Sequence, residues 1–165
     1  MTSEKTSNRD ESPGERLDRN LSELLQELRI ALPGVQVLFA FLLAVPFAQG
    51  FMDVTRFQQS TYFATLILTA VTTVLLISPS AIHRATFRMQ KKDRLIVLSN
   101  RLSMIGLATL GLAMTGAVTF VTDYLYGAIP TIITSVVTLL FFVLLWGILP
   151  MWTRNYPDDG PPESN

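Results

Sequence analysis

The chain contains no cysteine. Disulfides, thiolate metal sites and cysteine nucleophiles are therefore excluded. Its single histidine, His83, cannot build a multi-histidine metal site within one chain. Charge is scarce: 16% of residues are Asp, Glu, Lys or Arg, against roughly a quarter in an average soluble domain. It is also badly mixed. Residues 1–32 hold twelve of the 26 charges, while the stretches 57–82 and 124–153 hold none. Formal net charge is zero, so nothing marks the chain as a nucleic-acid binder. The sequence has no phosphate-cradling glycine loop, serine elbow, metalloprotease pattern or paired intramembrane carboxylates. It therefore reads as a non-enzyme that needs no cofactor.

What the sequence does have is long apolar runs. Four stand out, at about 34–52, 61–79, 103–122 and 129–150. Each approaches the ~20 residues that an α-helix needs to cross ~30 Å of hydrocarbon. Threonine- and valine-rich stretches such as 69–76 would suggest strands in water. In lipid every backbone N–H and C=O needs an internal partner, which a helix supplies and an isolated strand does not. The expected fold is all-α: an integral membrane four-helix bundle of two transmembrane hairpins over 34–153, preceded by an N-terminal cytoplasmic amphipathic helix.

That helix is expected over 13–33. Ser12 caps it, Pro13 takes the first helical position and Glu15 completes a capping box. Leu17, Leu21, Leu24, Leu25, Leu28 and Leu32 follow at helical spacing, and Pro33-Gly34 is read as the break before the first span. Its slightly acidic balance suits docking against the basic middle loop or a cytoplasmic partner protein at 13–32; lying in the membrane interface is the other reading. Residues 1–12 and 154–165 read as disordered tails by composition. No cleavable secretory signal is expected.

Basic residues near span ends resist translocation and set topology. Five lie before the first span, six lie in 80–102 and one lies in the C-terminal tail, against Arg56 alone in the other two loops. Both termini and the middle loop are therefore expected in the cytoplasm of a bacterial inner membrane. Trp146, Trp152 and Tyr156 at one end of the fourth span, and Tyr124 and Tyr126 at the other, suit interfacial depths.

An ionisable group in hydrocarbon is a functional hypothesis by default. None lies in the middle of any of the four runs. Asp53 and Asp123 stand at the outer ends of the first and third, where together they would make an outward-facing site at which cations enter. The plainer reading of Asp53 is a surface pair with Arg56. His83, Arg84, Arg88, Lys91, Lys92 and Arg94 form a basic stretch suited to anionic lipid or a partner. His83-Arg84 reads either as a headgroup anchor or as a pH-sensitive switch. Threonines 65, 69, 72 and 73 in the second run and 131, 134 and 138 in the fourth are either packing hydroxyls or the lining of an ion path. Gly106, Ala113, Gly116 and Ala117 let the third helix approach its neighbours closely, at the centre of the bundle or at a dimer seam. Pro46 is expected to kink the first helix.

Three groups of residues carry a resemblance. They are Leu24–Arg29 continuing through Leu32–Leu42 and Val45-Pro46-Phe47; Tyr62, Pro79, His83-Arg84 and Phe87-Arg88; and Asn100-Arg101. Over about 15–150 the chain resembles a domain-of-unknown-function family of small four-span bacterial membrane proteins, found largely in actinobacteria. Some members carry the label sodium:proton antiporter. The resemblance implies a fold and a location and transfers no catalytic residue. Small proton-driven exporters of this size typically carry an acid inside the first helix, and residues 34–50 contain none. The leading expectation is an accessory, regulatory or structural membrane protein that self-associates as a homo-oligomer in the lipid bilayer. The alternatives are a cation/proton antiporter, or a component of one, and an anionic-lipid or envelope-stress factor.

Overall fold

The computed structural model describes residues 13–86 and 92–148. Four helices account for most of them: α1 (Pro13–Ala44), α2 (Arg56–Thr86), α3 (Lys92–Tyr126) and α4 (Ala128–Phe142). They supply four segments long and apolar enough to cross a membrane: Ser22–Phe47, Arg56–Ile82, Val97–Tyr126 and Ala128–Ile148. The chain is a multi-pass membrane protein by this criterion.

The first segment departs from the sequence reading. α1 runs unbroken through Pro33 and Gly34. The reason is phase. Leu28, Val35 and Leu42 are buried, seven apart, so a single stripe faces its neighbours from Leu28 to Leu42, across Pro33 and Gly34. Pro33 and Gly34 lie exposed, off that stripe. A proline there forfeits one backbone bond at the helix surface without disturbing the packed side. The amphipathic segment and the first span are thus one helix. At its far end the α-helix stops at Ala44, and Pro46 sits inside a 3-10 turn, Val45–Phe47. Pro46 ends the helix rather than kinking it. A second 3-10 turn, Gln49–Asp53, leads towards α2.

α2 begins earlier than expected, at Arg56, because Thr55 and Gln58 form a reciprocal cap. The Gln58 amide N–H donates to Thr55 Oγ1 at 3.2 Å, and the Thr55 amide N–H donates to Gln58 Oε1 at 2.9 Å. α3 and α4 are joined by Gly127 alone, at φ 78°, a left-handed conformation that favours glycine. Beyond Phe142 the fourth helix widens into a π-helical segment, Val143–Ile148, which the sequence did not announce.

The helices pair antiparallel. Gln58 meets Asp123, Thr72 meets Thr109, and Leu76 lies against Gly106. α3 contacts α1, α2 and α4, while α4 packs chiefly on α3. We call the end carrying Thr55 and Gly127 the short-loop end and the opposite one the basic end. One apolar cluster, Leu28, Val35, Leu76 and Leu110, joins α1, α2 and α3 towards the basic end. Another, Leu42, Tyr62 and Phe120, joins them towards the short-loop end.

Candidate functional site

Three small polar systems join α1, α2 and α3. At the short-loop end, Gln58 Nε2 donates to Asp123 Oδ2 at 2.9 Å, so the residue that caps α2 also holds the last turns of α3. Gln58 is buried and Asp123 half-buried. Asp123 also accepts the Gly127 amide on its carbonyl at 3.2 Å, which shapes the turn into α4.

One step deeper, the Tyr62 hydroxyl donates to the Leu42 carbonyl at 2.9 Å. Leu42 lies four residues before Pro46, and proline has no N–H to give that carbonyl. Tyr62 thus replaces the bond that the proline removes. Its ring is held edge-on by Phe51, with centroids 5.1 Å apart, and against Phe120 at 5.9 Å.

The third system is a hydroxyl seam between α2 and α3. Thr65, Thr69 and Thr73 donate to carbonyls one turn back, at 2.7 to 2.9 Å. Thr72 donates to Thr109 Oγ1 at 2.8 Å, and Thr109 donates to the Gly106 carbonyl at 2.9 Å. Thr65, Thr69 and Thr72 are buried. A similar link joins α3 to α4, where Thr119 and Ser135 hydroxyls lie 2.7 Å apart and Thr119 reaches the Thr115 carbonyl. In the fourth helix Thr131 and Thr134 bond back to Gly127 and Pro130.

Of the residues singled out by sequence, Asp53 and Asp123 differ in their surroundings. Asp123 is engaged by Gln58, whereas Asp53 is exposed in the 3-10 turn. No salt bridge joins Asp53 to Arg56, also exposed, and no group of three or more His, Cys, Asp or Glu residues that could hold a metal occurs among the described residues. Arg84 is exposed at the end of α2. Arg88 and Lys91 lie outside the described residues, as do the side chains of His83, Lys92 and Arg94 and both expected tails.

Of the small residues of α3, Ala108 is exposed, and the glycines and other alanines face neighbours or lie partly covered. A Cβ on Gly106 would strike Leu76, and one on Gly116 would strike Thr65, both in α2. Ala113 is fully buried and Ala117 half-buried. Gly111, which the sequence did not separate from the others, lies against Phe142 of α4. The legible but overlooked signal was Thr55-x-x-Gln58, a capping box just ahead of an apolar run.

A groove of about 400 Å³ opens between α3 and the π-helical segment. Met104, Ala108 and Leu112 form one wall, and Phe142, Trp146 and Gly147 the other. Phe142 and Trp146 stack edge-on with centroids 5.0 Å apart. The groove offers shape and apolar surface and no titratable group.

The family model DUF6328, described as a family of unknown function, matches residues 10–150. No curated protein and no solved structure matches the chain.

Proposed function

The chain belongs to DUF6328, a family of unknown function, and from that premise we propose that it is an accessory or structural protein of the bacterial plasma membrane, without a catalytic site and self-associating. One observation carries this reading. The polar side chains along the middle of α2 and α3 are hydroxyls, bonded to the chain's own backbone or to one another. A cation/proton exchanger needs an ionisable group reached alternately from both sides. Asp123 stands at one end of its helix and is already held by Gln58. Hydroxyls saturated in this way act as helix glue rather than as a path.

Two further features support the assignment. α4 has Thr131 as its buried residue and leaves Ile132, Val136 and Leu140 exposed, a surface free for a second copy. The exposed Glu23 and Glu27 near the start of α1 suit a basic cytoplasmic partner. The asymmetry of Lys and Arg supports an orientation with both termini and the basic end in the cytoplasm.

The test is flux. The full chain is reconstituted in vesicles carrying a sodium or potassium gradient and an internal pH dye. No exchange above protein-free vesicles is expected, and cross-linking in the same vesicles should give a defined oligomer. Exchange that Asp123→Asn or Asp53→Asn abolishes would overturn the accessory reading in favour of an antiporter.

A further inference from the structure

The groove between α3 and the π-helical segment is concave, apolar and open to the side of the helices. We propose that it holds one acyl chain of an anionic phospholipid from the leaflet at the basic end, with the lipid phosphate at Arg101. Depth, charge and shape support this together. Counting the ~20 residues of a hydrocarbon crossing back from Asp123 brings α3 to about Ser103. Met104, Ala108 and Leu112 then lie within the half of the bilayer at the basic end, and Arg101 lies at its surface. At 3.6 residues per turn, Arg101 stands on the same face of α3 as Met104, Ala108 and Leu112, one turn beyond the groove. Its side chain is exposed, and none of the described acids forms a salt bridge with it.

A guanidinium matches a phosphate with two parallel hydrogen bonds. Across the groove Trp146 lies opposite about Leu107, because Phe142 meets Gly111 and α4 runs antiparallel to α3, so its indole stands beside the upper part of a chain held there. Gly147 lines the groove, and a Cβ built on it meets nothing within 4 Å, so a larger side chain has room to enter there. A lipid tail there touches protein on two sides, whereas a tail on a flat helix face touches it on one. This inference does not depend on whether the chain self-associates.

The chain has two tryptophans, so Trp152→Phe leaves Trp146 as the single emitter. This full-length protein is reconstituted in phosphatidylcholine bilayers. Either brominated phosphatidylglycerol or brominated phosphatidylcholine is then added at the same mole fraction, and quenching of Trp146 is measured. A preference of about five-fold for the anionic lipid is expected from one basic contact. Arg101→Gln should reduce that preference to near unity. Gly147→Leu should reduce quenching by both lipids, because the added side chain fills the groove. Gly34→Leu, which adds the same bulk at an open position on α1, should change neither. Should Gly147→Leu fail to give a monodisperse protein, Ala108→Leu closes the groove from the other wall.

Equal quenching by the two lipids, or a preference that survives Arg101→Gln, would overturn the proposal. So would a groove-filling variant that leaves quenching unchanged but alters the oligomeric mass, which would identify the occupant as a second copy of the chain.

Discussion

At the scale of single residues, the Tyr62–Leu42 bond shows how a membrane helix tolerates a proline. Pro46 strips the Leu42 carbonyl of its helical donor, and the carbonyl is buried where water cannot reach it. Tyr62→Phe keeps the ring against Phe51 and Phe120 and removes only the hydroxyl. It should cost about 1–3 kcal/mol of stability, the penalty for an orphaned buried acceptor. Pro46→Ala restores the missing N–H, so in that background Tyr62→Phe should cost much less. The double-mutant cycle, read by thermal unfolding in detergent, isolates this coupling. Additive losses would show that the hydroxyl does not substitute for the backbone donor. The glycines give a second contrast. Gly116→Ala drives a Cβ into Thr65, whereas Gly34→Ala meets nothing. The first should lower the melting temperature. The second should raise stability by roughly 0.5–1 kcal/mol, because alanine forms helix better than glycine.

At the scale of elements, cap and turn chemistry sets where helices start and stop. Thr55→Ala removes one half of the reciprocal cap and should cost about 0.5–2 kcal/mol. Gln58→Leu should cost more, because it also leaves the Asp123 carboxylate without its donor from α2. The same chemistry explains what the sequence made legible and what it did not. Four uncharged runs announced four helices, since dehydrated backbone admits few alternatives. The small residues of α3 announced close packing without naming the neighbour. Gly106 and Gly116 meet α2 while Gly111 meets α4, a distinction that depends on three-dimensional phase. Pro33-Gly34 signals a break locally, yet the helix continues through it. The stripe from Leu28 through Val35 to Leu42 keeps its phase across them, and tertiary packing outweighs propensity. The π-helical widening after Phe142 follows no local pattern in Val143–Ile148 that distinguishes it from an ordinary apolar helix.

At the scale of the whole molecule, the antiparallel pairing makes orientation a single binary choice. α1 and α3 run one way, and α2 and α4 the other, so placing one loop places them all. The absence of cysteine makes that choice readable with single-cysteine variants. Arg84→Cys and Gly127→Cys put a thiol at the basic end and the short-loop end, both exposed. In intact cells a membrane-impermeant maleimide should label Gly127→Cys and spare Arg84→Cys until the membrane is opened. The physical cause is the excess of Lys and Arg at the basic end, which resists passage across the membrane during insertion. Gly127 is itself strained for any other residue at φ 78°, so Ala128→Cys, exposed one position on, serves as the second probe of that end. Labelling of the basic end in intact cells would reverse the orientation. It would also move the Arg101 groove to the outer leaflet and place the exposed acids of α1 outside the cell.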